Sequence, residues 1–139
     1  MSLVLDSSVA LAWIYSDETT EAIRRLFNMV AEDGAVVPAL WRLEVANSLT
    51  VAARSGRIDA DFRRAALADL ALLDIRADPD TDSHAWTGTL QLADRFRLTV
   101  YDAAYLELAQ RRALPLATLD EELLGAAAAL RIGMLDVSP

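Results

Sequence analysis

Four acids stand where carboxylates can do chemistry. Asp6 follows the apolar run Leu3-Val4-Leu5, which reads as a short buried strand. Asp120 follows a second short strand near 116–118, and Asp102 lies at a helix start just after Leu98. In a parallel sheet the carboxyl ends of the strands share one edge, and ligands bind there. Glu44 is different, because it falls six residues after Pro38 inside an apolar helical stretch over 38–54. A carboxylate in such surroundings is costly unless it is paired or bound to a cation. Four carboxylates in one pocket repel one another. A hard divalent cation, Mg2+ or Mn2+, removes that repulsion, accepts oxygen ligands and keeps several waters. One such water is a potential nucleophile, for example on a phosphodiester. The residues alone carry the reading to an oxygen-ligand metal site at a sheet edge, and no further.

Composition removes competing chemistries. The chain has 139 residues, 54% of them apolar, which suits one packed domain. There is no cysteine, so disulfides, thiolate catalysis and cysteine metal sites are excluded. With one histidine, His84, no multi-histidine metal cluster can form. All 13 basic residues are arginine. A chain without lysine supplies neither a phosphate-loop ATPase nor a receiver domain with its active-site lysine. No G-x-G-x-x-G follows the first strand, which argues against a dinucleotide-binding fold. The net charge of −8 becomes −4 once the four acids above are set aside, so the acidity does not argue against a nucleic-acid substrate. No run approaches the ~18 apolar residues of a membrane span. The N-terminus, with no basic region and an Asp at position 6, does not read as a signal peptide. A cytoplasmic, membrane-free protein is expected.

The elements that must position these acids alternate. Strands are predicted at 3–5, 35–37, 74–76, within 114–118 and at 134–137. Helices are predicted over about 8–15, 19–32, 38–54, 59–72, 83–95, 100–112 and 120–131. Pro38 suits a first helical position, and Gly34, Gly56 and Gly133 suit helix ends. Thr99, three residues before Asp102, fits a capping box. Helices 38–54 and 59–72 read as a hairpin packed on the sheet. Short apolar strands separated by helices imply an α/β protein with a parallel sheet covered on both faces.

Each acid also has a plainer use. Asp6, with Ser7 or Ser8, and Asp120 suit helix caps. Asp102 suits the third residue of a capping box, and Glu44 a solvated helix face. Asn47 is equally a support for Glu44 or a surface residue. The arginines at 24–25, 63–64, 95, 97 and 111–112 suit RNA phosphates or plain solvated faces. Trp13, Tyr15, Trp41 and Trp86 suit base stacking or core packing. His84 reads as a surface residue.

The order of these segments resembles a known family. LVLDSSVALAWIYSDE at 3–18, VVPALWRLEVANSL at 36–49 and LTVYDAAYLELAQRRALPLATLDEEL at 98–123 are similar to the motifs of PIN-domain ribonucleases, specifically the VapC-type toxins of toxin–antitoxin pairs. The resemblance implies a three-layer α/β/α sandwich with strand order 3-2-1-4-5, and one domain over 1–139. It implies that Asp6, Glu44, Asp102 and Asp120 bind Mg2+ or Mn2+ and activate water for RNA cleavage. Ser7 or Ser8, Asn47, Thr99 and Thr118 match the family's supporting hydroxyls and amide. Homodimers, a cognate antitoxin in the active groove, and an RNA substrate follow from the same resemblance, with transfer RNA the first candidate. Two positions depart from the pattern. Leu119 stands where many relatives carry Asn, and Leu123 where some carry an acid that Glu121 or Glu122 would replace. A non-catalytic binding or regulatory domain of the same fold is the alternative.

Overall fold

Leu3, Val4 and Leu5 are buried, as a strand covered on both faces requires. The computed structural model describes residues 2–139. Its elements in chain order are β1 (Val4–Leu5), α1 (Ser7–Ile14), α2 (Glu21–Asp33), β2 (Ala35–Val37), α3 (Trp41–Arg54), α4 (Ala60–Ala71), β3 (Ile75–Ala77), α5 (Thr81–His84), α6 (Gly88–Phe96), α7 (Val100–Arg112), β4 (Leu116–Ala117) and α8 (Glu121–Ala129), with a short 3-10 turn at Ser16–Glu18. All strand pairs are parallel, in the order β3-β2-β1-β4. Val4 lies opposite both Val36 and Leu116, and Leu5 opposite Ala117, so β1 and β4 end at the same level. The architecture is an α/β/α sandwich with a parallel sheet.

The expected fifth strand is not formed. Residues 134–137 reduce to a single parallel bridge, Met134 to Leu116. The backbone makes one pair of bonds there, Leu116 N–H to Gly133 O at 2.8 Å and Leu135 N–H to Leu116 O at 3.0 Å. Asp136 then accepts from the backbone N–H and the hydroxyl of Ser138, which turns the chain locally. The sheet is therefore four-stranded, not the five-stranded 3-2-1-4-5 arrangement. Two helix boundaries also differ from expectation. Pro38-Ala39-Leu40 forms a turn, closed by Trp41 N–H to Pro38 O at 3.0 Å and anchored by Ala39 N–H to the Thr81 hydroxyl, so α3 starts at Trp41. The helix expected over 83–95 is two, because Thr87 (φ −121, ψ −97) leaves the helical region.

The helix α7 runs through the middle of the molecule. Every residue from Ala103 to Ala109 is buried, including Tyr105 and Glu107. Thr99 caps it by accepting the Asp102 N–H, as its spacing predicts. Near its far end Arg111 donates to Glu107 at 2.7 Å and to Asp78 at 2.5 Å. Asp78 directly follows β3 and is buried, so this ion pair fastens the end of β3 to α7. Burial works to raise the Asp78 carboxyl, but Arg111, the Asp80 N–H and the Thr81 hydroxyl outweigh it and hold the group below its ordinary value. Arg111 is thus engaged inside the protein rather than presented to a phosphate. Trp41 and Tyr15 are core residues, Trp13 donates to Ile23 O at 2.8 Å, and Trp86 alone of these four aromatics is strongly exposed. Among the described residues no helix is long and apolar enough to cross a membrane.

Candidate active site

Asp6 is the first residue beyond β1. Its backbone is extended (φ −71, ψ 145) at the N-cap position of α1, yet its side chain makes no capping bond. The carboxylate turns toward β4 instead. Its Oδ2 accepts from the Ser8 hydroxyl at 2.6 Å and from the Thr118 hydroxyl at 2.7 Å. Those hydroxyls are themselves fixed, since Ser8 Oγ accepts the Leu119 N–H and Thr118 Oγ1 accepts the Asp120 N–H, both at 3.0 Å. Asp6 is only 5% exposed, and burial is the main reason its carboxyl lies above the ordinary value. The two hydroxyls and the Ser7 N–H oppose that rise, and the charge of Asp120 adds to it.

The other three acids surround it from different elements. Asp120 is the N-cap of α8 and accepts the Glu122 N–H at 2.9 Å, so its helix-capping use is realised. Asp102 lies in the first turn of α7 and is partly buried. Burial, then Asp120 and Asp6, raise its carboxyl against the Thr99 hydroxyl, and Glu122 adds to the rise. Glu44 lies in the first turn of α3, nearer the helix start than its sequence spacing implied. Burial raises it, a hydrogen bond from the Tyr105 hydroxyl to Oε1 opposes this, and the charges of Asp6 and Asp102 push it further up.

The structure therefore brings Glu44, Asp102 and Asp120 into electrostatic reach of Asp6 at the carboxyl edge of the sheet. It does not draw them to ligating distance. Among the described residues, no three of His, Cys, Asp and Glu stand close enough together to hold a metal ion. The chemistry of the donors still fits a hard cation. They are carboxylates, and the neighbouring charges acting on Asp6, Glu44 and Asp102 are all negative.

Of the supporting residues, Thr118 meets Asp6 and Thr99 meets Asp102. Ser8, not Ser7, supplies the hydroxyl on Asp6. Asn47 is exposed and forms no side-chain hydrogen bond among the described residues, so it does not support Glu44. Leu123 is fully buried in the core, which leaves no room for an acid at that position, and Glu122 is the neighbour whose charge reaches Asp102. Sequence reasoning missed Tyr105. The available signal was its place three residues after Asp102, which puts both on one side of α7. Burial, then the charge of Asp6 and the bond to Glu44, drive its phenol far above the ordinary value, so it remains a donor.

A parallel α/β/α sandwich with carboxylates at the strand ends belongs to the class of domains that place a ligand site at that edge. The PIN domain family model matches residues 3–129, and the chain belongs to that family, which is linked to nucleases. Among solved structures it is similar to PAE2754 from Pyrobaculum aerophilum, with 27% identity over 91% of this chain and 87% of that one, at a TM-score of 0.63. VapC20 of Mycobacterium tuberculosis, described as a toxin that cleaves the sarcin-ricin loop, shares the fold at 17% identity over 89% and 94% of the two chains, with a TM-score of 0.63. FitAcB from Neisseria gonorrhoeae shares it at 13% identity over 98% and 97%, with a TM-score of 0.65. The comparison with curated proteins returns no match.

Proposed function

We propose that this chain is a metal-dependent endoribonuclease that hydrolyses RNA phosphodiester bonds, and a toxin neutralised by a cognate antitoxin. The observation that carries the reading is the buried Asp6, held by two hydroxyls with three further acids in electrostatic reach, in a member of the PIN domain family. Asp6, Glu44, Asp102 and Asp120 are the residues that would hold Mg2+ or Mn2+. When bound, such an ion supplies Lewis acidity toward a phosphate and acidifies water. Ser8 and Thr118 orient Asp6, Thr99 sets the start of α7 beneath Asp102, and Tyr105 engages Glu44. These acids without a cation repel an RNA backbone, so occupancy also governs substrate approach. The likeness to VapC20 supports RNA as substrate, and transfer RNA is the first target to examine. The same reading has residues 1–139 acting as one domain, as a homodimer in the cytoplasm, with the antitoxin seated in the active groove.

A second reading, a non-catalytic binding or regulatory domain, is favoured by one observation, the acids standing beyond ligating distance of one another. One experiment separates the two. Purified, antitoxin-free protein is incubated with total RNA in Mg2+, in Mn2+ and in chelator, and the cut ends are mapped. The nuclease reading expects discrete cuts with either ion, none with chelator, and a loss of about 1,000-fold or more in Asp6→Asn, since metal-borne charge stabilisation amounts to several kcal/mol. Cleavage that survives both chelation and Asp6→Asn removes the proposed site. Absence of cleavage under every condition favours the binding domain.

A further inference from the structure

We infer that Tyr105 is a positioning residue for this site. Its hydrogen bond to Glu44 holds that carboxylate beside the other acids, as a ligand for a divalent cation. The inference rests on the reading that these acids hold such an ion.

Tyr105 is fully buried, and a buried phenol requires a partner for its O–H. It donates to Oε1 of Glu44, 61 residues away in sequence. A carboxylate only accepts, and a phenol has one proton to give, so the direction of the bond is set. Tyr105 lies three residues beyond Asp102 on α7, and Glu44 stands on α3. The bond thus ties the element that carries Asp102 to the acid on α3.

The choice of donor matters chemically. Glu44 is half-buried with a long side chain, and an unanchored glutamate loses rotamer freedom on binding an ion. A lysine or arginine in the place of Tyr105 would anchor Glu44 but neutralise it. A phenol anchors Oε1 and leaves the full negative charge in place, while Oε2 forms no hydrogen bond among the described residues. Hydrogen-bond partners of metal-ligating carboxylates act in this way.

The test is Mn2+ binding to the metal-free full chain, followed by the electron paramagnetic resonance signal of free Mn2+. Wild type is compared with Asp6→Asn, Glu44→Gln and Tyr105→Phe, and thermal unfolding of each is recorded without metal. We expect wild type to bind, Asp6→Asn to lose binding, and Tyr105→Phe to bind about 10-fold more weakly. Tyr105→Phe that binds as tightly as wild type overturns the inference, even where its melting temperature falls, because the phenol is then only structural. In that case the Asp6→Asn result still stands and the metal reading survives. A loss in Tyr105→Phe larger than that in Glu44→Gln also overturns it, since the phenol then acts on more than Glu44. If Tyr105→Phe does not fold, Glu44→Gln decides, and unchanged affinity there overturns the inference, since Glu44 is then no ligand for the phenol to position. A wild-type protein that binds no Mn2+ removes the metal reading and this inference with it.

Discussion

Thr118 uses one hydroxyl twice. It is wholly buried, it donates to Asp6 Oδ2, and it accepts the Asp120 N–H, so it joins the two acids that leave neighbouring strands. Thr118→Val keeps the shape and removes both bonds. It leaves a part-buried N–H without its acceptor and takes one donor from a buried carboxylate. The expected cost is about 1–3 kcal/mol, read from denaturant unfolding of metal-free protein, while Thr118→Ser stays near wild type. An unchanged midpoint in Thr118→Val would show that water replaces the hydroxyl at no cost. At this scale the four acids were legible because each sits at a strand end or near a helix start, positions that local patterns reveal. The partners were less so. Whether Ser7 or Ser8 reaches Asp6 depends on the twist of the chain as it enters α1, and Tyr105 meets Glu44 only through tertiary packing. Arg111, read as facing RNA phosphates or solvent, likewise meets Asp78, 33 residues away, only through tertiary packing.

Among the elements, the junction of α2 and β2 depends on Gly34. Its backbone (φ 75, ψ −176) lies in a region that only glycine adopts readily. A Cβ there would stand 2.8 Å from the carbonyl oxygen of Asp74, and that same oxygen accepts the Ala35 N–H that begins the pairing of β2 with β3. Gly34→Ala therefore meets both backbone strain and a clash with main chain that cannot swing aside. A loss of about 1–3 kcal/mol is expected. Gly125→Ala serves as the opposite case. It lies within α8 with nothing within 4 Å of an added Cβ, so alanine there gains about 0.5–1 kcal/mol. Thermal unfolding of the two variants should move in opposite directions, and a neutral Gly34→Ala contradicts the argument. The end of α2 at Gly34, the left-handed Gly56 just beyond α3 and the Thr99 cap were legible because each follows from a single residue's conformational preference, whereas α8 ends at Ala129, and Arg131 rather than Gly133 takes the left-handed conformation after it. The strand at 134–137 was misread because its apolar residues suit a strand while the competing Asp136–Ser138 turn takes over the end of the segment.

Across the whole molecule, titration of the acids around Asp6 and of Asp78 beyond β3 pulls stability in opposite directions. Asp6, Glu44 and Asp102 are raised, chiefly by burial, above ordinary values of 3.8, 4.5 and 3.8. For these groups the native state binds protons more readily than the unfolded chain. Their contribution is complete below the ordinary values and is lost as pH rises through the raised ones. Asp78 is lowered, so its contribution is present above 3.8 and is lost as pH falls through its lower value. Metal-free wild type is therefore expected to lose stability from the carboxylate range toward neutral pH relative to Asp6→Asn, which has one fewer buried charge to form. The difference between the two proteins isolates this effect from the rest of the −8 surface. Millimolar Mg2+ or Mn2+ should recover wild type at neutral pH, because an ion that binds only the native state stabilises it by mass action. It should not recover Asp6→Asn to the same degree. Scanning calorimetry of both proteins between about pH 4 and pH 8, with chelator and with each ion, measures all of this. If wild type instead gains stability relative to Asp6→Asn as pH rises in chelator, the buried acid is already compensated within the protein, and the electrostatic reason for a cation at this edge disappears.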